Sequence, residues 1–248
     1  MGLLTLVRHG QASAFAANYD RLSTLGELQA QLLGACWKRR NLTFDRVFCG
    51  PRVRQQRTAE IVADHAGLPA PVMLDALDEM RVEPLFAEHM PELYAMHGHL
   101  QTLGDAMVAA EGNAPKAKAF ARLFGATLHL WLRGELPAKD GVEPWVDFQS
   151  RVRKAIADAQ FEAQGKRVVF FTSAGVVALA LQQATRLDDL ETLSTAFRVR
   201  NSSVSEFLFS SGGSILPGAP ERAAGERFSL LTFNETPHLD EAAQMTVR

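Results

Sequence analysis

The stretch Leu3-Leu4-Thr5-Leu6-Val7-Arg8-His9-Gly10-Gln11 begins as an apolar run and ends on a basic pair followed by glycine. A run this short, without regular polar alternation, is the pattern of a strand covered on both faces of a parallel sheet. With residues 3 to 7 as that strand, Arg8, His9 and Gly10 emerge at its carboxyl edge, the side on which open α/β sheets bind ligands. Arg8 offers a planar fork for phosphate oxygens, His9 a nucleophile, and Gly10 room for a ligand to approach the backbone. Taken alone, the same residues also read as a capped turn with an incidental basic pair.

Working outward, residues 23 to 40 carry a cap at Ser23 or Thr24, Glu27 in the first turn, and Leu25, Leu28, Leu32 and Leu33 at helical spacing. Strand-like residues 45 to 49 precede a helical pattern over 54 to 65, and 71 to 74 read as a short strand ending near Asp78 and Glu79. Residues 167 to 172 form another buried run, followed by a helix over 175 to 185. Two further strands, 204 to 209 and 228 to 233, flank a Gly, Pro, Ala and Ser-rich connection over 212 to 225. Repeated strand-helix units predict an α/β fold, three layers deep (α/β/α) around a mainly parallel sheet.

Between about residues 84 and 140 the pattern turns helical throughout, so a single domain spanning 1–248 with a helical insertion is expected. Such an insertion suits a lid or a partner surface, and its Met90, Met96 and Met107 are expected to fill an irregular core. His97-Gly98-His99 lacks a third ligand nearby and is expected to be solvent-exposed rather than metal-binding.

With 248 residues, 47% of them apolar, the chain can bury one sizeable core. A formal charge of −2 provides no chain-wide attraction for nucleic acid or acidic membranes, so anion binding must come from a local cluster. Arg52, Arg54 and Arg57 are such a cluster, without the interleaved aromatics of a nucleic-acid site. Cys36 and Cys49 are too few for a disulfide framework and read as small buried residues of a protein in a reducing, cytoplasmic setting. Residues 3 to 7 are too short for a signal peptide or a membrane span, and a homodimer is left open.

Leu6-Val7-Arg8-His9-Gly10-Gln11, followed at the usual separation by Leu22-Ser23-Thr24-Leu25-Gly26-Glu27-Leu28-Gln29-Ala30, resembles the N-terminal signature of the histidine phosphatase (phosphoglycerate mutase-like) superfamily. Cys49-Gly50-Pro51-Arg52-Val53-Arg54 with Thr58-Ala59-Glu60 is similar to its second segment, and Asn201-Ser202-Ser203-Val204 and residues 234 to 239 to its closing strands. The resemblance implies that His9 accepts the phosphoryl group and that Arg8 and Arg54 bind it, with Arg52 as the alternative to Arg54. Leu77-Asp78-Glu79-Met80 is similar to the third segment, which implies Glu79 as the general acid; Glu83 and Asp78 are alternatives.

The fourth segment departs from the pattern. Ser173-Ala174-Gly175 stands where the family carries Ser-His-Gly, so position 174 supplies neither donor nor charge to the transferring group. The sequence approaches a Thr-Ser-Gly-Gly-like branch, and whether Ala174 is natural or a replacement of histidine stays open. The phosphate pocket is therefore expected to comprise Arg8, Gly10, Gln11, Arg54, Ser173 and Ala174, with no metal and no cofactor. Ser13, Asn18 and Tyr19 are candidates for its rim. The expected activity is a slow phosphomonoester phosphatase working through a phosphohistidine. The alternative is a non-catalytic protein of the same fold that binds a phosphorylated small molecule or a phosphate anion, and a mutase lacks a dedicated signature.

Overall fold

A computed structural model describes residues 1–13, 20–162, 166–210 and 227–247. In chain order the elements are β1 (Gly2–Arg8), α1 (Thr24–Arg39), β2 (Arg46–Cys49), α2 (Val53–Ala66), β3 (Val72–Met73), α3 (Glu83–Ala87), α4 (Met90–Met96), α5 (Gly98–Ala109), α6 (Asn113–Leu132), α7 (Trp145–Glu162), β4 (Arg167–Thr172), α8 (Ala174–Thr185), α9 (Asp189–Ala196), β5 (Val204–Ser210) and β6 (Arg227–Glu235). They form two compact units, Met1–Glu79 with Ser150–Arg248, and Met80–Gln149.

The first unit is built on a six-stranded sheet of order β3-β2-β4-β1-β5-β6. β3, β2, β4 and β1 run parallel, and β5 and β6 add antiparallel strands beyond β1. The predicted mainly parallel α/β sheet is what forms. β1 lies inside it because nearly every residue from Leu4 to Val7 is apolar and each is fully buried, as a strand flanked on both edges and both faces requires. Alternation assigns the faces. Val7, Val47, Cys49, Val169 and Phe171 pack with Ala30, Leu33 and Trp37 of α1 and with Ala59, Ile61 and Val62 of α2, whereas Phe48 and Phe170 meet edge to face on the other side, 5.8 Å apart. There α8 packs against β1 and β6, buried along most of its length because its first nine residues are apolar or small apart from Gln182.

Ser23 caps α1 as expected, its hydroxyl accepting Gly26 N–H at 3.1 Å. Both cysteines are buried free thiols, and burial pushes the Cys49 thiol up to about 11, with the Glu60 charge adding to the effect. The connection over 212 to 225 lies outside the described residues.

The second unit holds α3 to α6 and the start of α7, and residues 84 to 140 lie within it. Met90, Met96 and Met107 do not fill its core, contrary to expectation: Met96 is 52% exposed, and Met90 and Met107 are half-buried. Leu85, Leu93, Leu100, Leu123 and Leu128 take that role together with Trp131, whose indole donates to Glu143 O at 2.7 Å. Within α6 the buried Leu123, Thr127, Leu130 and Trp131 recur at helical spacing and mark its inward side. Of the paired histidines, His99 is exposed as expected, whereas His97 is half-buried and its Nε2 is shielded from solvent. Among the described residues no helix is long and apolar enough to cross a membrane.

Candidate active site

His9 leaves the sheet where β1 and β4 end together. Arg8 is in register with Thr172, and His9 N–H continues the pairing by donating to Thr172 O at 2.9 Å. On the other side Ser202 N–H donates to His9 O at 3.1 Å, and the Asn201 amide donates to the same oxygen at 3.4 Å. The backbone of His9 is thus held by β4 on one side and by the turn that leads into β5 on the other.

The imidazole, only 5% exposed, is oriented through both ring nitrogens. Nδ1 lies 2.7 Å from Gly10 O, and a carbonyl can only accept, so Nδ1 carries the proton. Nε2 therefore presents a lone pair, which accepts from Arg54 Nε at 3.1 Å. Burial holds His9 well below the usual imidazole range, and the positive charges of Arg54, Arg8 and Arg52 push in the same direction.

Arg54 sits in the first turn of α2 and is 6% exposed. Its Nη1 pairs with Asp20 Oδ1 at 2.7 Å, while Asp20 Oδ2 accepts Val53 N–H at 2.9 Å. Arg52, the residue at the cap position, has no side-chain acceptor, so Asp20 caps this helix from elsewhere in the chain. Arg8 directs Nη1 to the carbonyls of Val199 and Val247, the latter at 2.7 Å.

Gly10 and Gln11 are braced by the protein itself. Gly10 N–H donates to Thr58 Oγ1 at 3.1 Å, and that hydroxyl donates to Arg54 O at 2.7 Å. A Cβ on Gly10 would fall 2.4 Å from Gly26 O, and one on Gly26 2.1 Å from Gln11 O. The glycines of the two pieces of the N-terminal signature therefore lie backbone against backbone. Gln11 N–H donates to Gln29 Oε1 at 2.8 Å, and its own Oε1 accepts from Ser23 Oγ at 2.9 Å. Ser13 donates to Leu22 O at 3.2 Å; Asn18 and Tyr19 lie outside the described residues.

Glu79 stands at the start of α8. Its two carboxylate oxygens accept Gly175 N–H at 3.2 and 3.3 Å, at the positive end of the helix dipole. Ala174 is the first residue of that helix and is 7% exposed, and Ser173 precedes it, fully buried. The Ser173 hydroxyl accepts from Gln55 Nε2 at 2.7 Å. Arg151 clamps the turn that delivers Glu79, donating to Ala76 O and Asp78 O, each at 2.9 Å, and to Glu79 O at 3.0 Å. Of the alternative acids, Asp78 is buried and pairs with Arg52, and Glu83 is exposed in the first turn of α3, in the second unit.

Sequence reasoning missed Asp20, Gln55 and Arg151. Asp20 acts on residues more than thirty positions away, and Arg151 is one basic residue among several on an amphipathic helix, so neither leaves a local signal. Gln55 does leave one: it is three residues past the cap of α2, where a side chain reaches back to the cap amide, as its 3.0 Å contact with Arg52 N–H shows. Among the described residues, no group of three His, Cys, Asp or Glu side chains is placed to hold a metal ion.

Solved structures with this fold include a mutant phosphoserine phosphatase from Entamoeba histolytica in complex with phosphoserine, 16% identical with a TM-score of 0.62 over 96% of this chain and 100% of that one. A putative alpha-ribazole-5'-P phosphatase from Escherichia coli is 20% identical, with a TM-score of 0.60 over 94% and 96% of the two chains. A mycobacterial glucosyl-3-phosphoglycerate phosphatase is 18% identical, with a TM-score of 0.58 over 94% and 98%. No curated protein sequence matches the chain. The sequence profile of the histidine phosphatase superfamily, branch 1, matches residues 4–103 and 109–217, which takes in His9, Arg54, Glu79 and the Ser173-Ala174-Gly175 segment, and the chain belongs to that superfamily.

Proposed function

We propose that this protein hydrolyses phosphomonoesters through a phosphohistidine on His9, and that it turns over slowly. The observation that carries this reading is the state of the imidazole: Nδ1 is committed to Gly10 O, and Nε2 is unprotonated and fixed at a buried edge beside guanidinium groups. Attack by the Nε2 lone pair forms the N–P bond and breaks the ester P–O bond. Glu79 gives the departing alcohol its proton, then takes one from the water that cleaves the N–P bond. Arg54 and Arg8 stabilise charge on the phosphoryl oxygens. Nε2 is held by Arg54 Nε without ligand, so substrate binding must transfer that donor from the ring to the phosphoryl group before attack. Ala174 offers no donor, and a missing donor of this kind costs about 10²- to 10³-fold in rate.

The relatives described above are named for phosphoserine, alpha-ribazole-5'-P and glucosyl-3-phosphoglycerate, all phosphomonoesters, which makes that class the first panel to test. A second reading, a protein that only binds a phosphorylated ligand, draws on Ala174 and on the hydrogen bond occupying Nε2. Rapid quenching with an aryl phosphate separates the two. A base-stable, acid-labile phosphoprotein that forms in the parent and vanishes in His9→Ala supports the phosphatase; anion binding without phosphoprotein at any time supports the binding protein.

A further inference from the structure

Hydrogen bonds close a ring around Ala174. Arg52 Nε donates to Asp78 Oδ1 at 2.6 Å, and the same oxygen accepts Glu79 N–H at 2.8 Å. The Glu79 carboxylate holds Gly175 N–H. Ser173, on the far side of Ala174, takes the Gln55 amide at 2.7 Å, and Gln55 Oε1 returns to Arg52 N–H at 3.0 Å. Arg52 therefore belongs, through backbone and side chain, to the polar frame that encloses the position where the family places its second histidine. Two residues later in the first turn of the same helix, Arg54 holds the nucleophile.

We infer that Arg52 is the phosphoryl-binding group that takes over the work of the absent histidine, donating with Arg54 to the oxygens of the transferring group. The inference rests on the phosphatase reading above. Its charge is one of the three that act on His9, so the guanidinium is within electrostatic reach of the attacking nitrogen. The ion pair with Asp78, whose partners are 21% and 12% exposed, fixes the fork through Nε, and a fixed planar fork suits tetrahedral oxyanions better than a mobile ammonium does. Charge then reaches the same oxygens from the start of α2 and offsets part of the loss at position 174.

The test measures the single-turnover rate of His9 phosphorylation by an aryl phosphate, and binding of inorganic phosphate, in the parent, Arg52→Ala, Arg52→Lys, Asp78→Asn and Ala174→His, and in Arg52→Ala combined with Ala174→His. Arg52→Ala is expected to slow phosphorylation by about 10²- to 10³-fold and to weaken phosphate binding. Lysine should restore part of the rate, and Asp78→Asn, which keeps the cation, should lose less than Arg52→Ala. Ala174→His should gain far more in the Arg52→Ala background than in the parent, because the two donors substitute for each other. Arg52→Ala phosphorylating as fast as the parent would overturn the inference, as would Arg52→Lys being no faster than Arg52→Ala, or Asp78→Asn matching Arg52→Ala, which would assign the loss to the ion pair. Failure of the parent itself to form phosphohistidine counts against the phosphatase reading, whereas a normal parent beside an unaffected Arg52→Ala counts against Arg52 alone.

Discussion

His238 makes the protein's stability fall in mild acid by an amount the structure sets. It is 6% exposed, its Nε2 lies 2.9 Å from Ser202 Oγ, and burial, with the Arg40 charge adding, lowers its pKa from 6.5 to about 4. The folded protein therefore keeps this ring neutral in a range where the unfolded chain protonates it. Below pH 6.5 the unfolded state binds more protons, so the contribution is intact above that value and is lost as pH falls toward about 4. At about 1.4 kcal/mol per pH unit, the loss approaches about 3 kcal/mol by pH 4 and is about 2 kcal/mol at pH 5. Urea unfolding of the parent and of His238→Gln at about pH 7.5 and about pH 5 isolates it, since every other titrating group is common to both proteins. Glutamine keeps a polar partner for Ser202 but does not titrate, so the parent should lose about 2 kcal/mol more than the variant on acidification. Equal acid losses in the two would refute the reasoning. Ser202 N–H also supports His9 O, which puts this ring one residue from the candidate nucleophile's backbone.

The candidate chemistry gives two further expectations. Because His9 stays unprotonated well below 6.5, kcat/KM should show no acid limb near the ordinary imidazole value, and an inflection there would mean that the nucleophile is not the buried ring described. Glu79→Gln should depress turnover of an alkyl phosphate by about 10²- to 10⁴-fold but that of a nitrophenyl phosphate far less, since only the poor leaving group needs the proton; equal losses for both substrates would remove Glu79 from the role of acid.

The sheet was legible because its strands announce themselves locally: residues 3 to 7 and 167 to 172 are short apolar runs, and they pair with each other in the centre. Helix boundaries followed where the capping residue is local, as at Ser23, and slipped by a residue at α2, whose cap is Asp20 from a distant loop. The second unit misled in its methionines because hydrophobicity alone does not say which side of a helix faces inward. At the site, motif matching brought His9, Arg54, Glu79 and position 174 into consideration, and it read Gly10 and Arg8 only for what they offer a ligand. Gly10 also lies against Gly26, and Arg8 directs Nη1 to the carbonyls of Val199 and Val247. Such contacts are made between segments far apart in sequence, and nothing in the local pattern encodes them. The same reasoning bears on Ala174. A motif comparison registers one missing side chain, whereas the folded chain shows six residues from α2, the turn after β3 and α8 joined around that position. On the inference drawn above, the cost of the missing histidine depends on Arg52 at the cap of α2, and the comparison of Ala174→His in the parent and in Arg52→Ala measures that dependence.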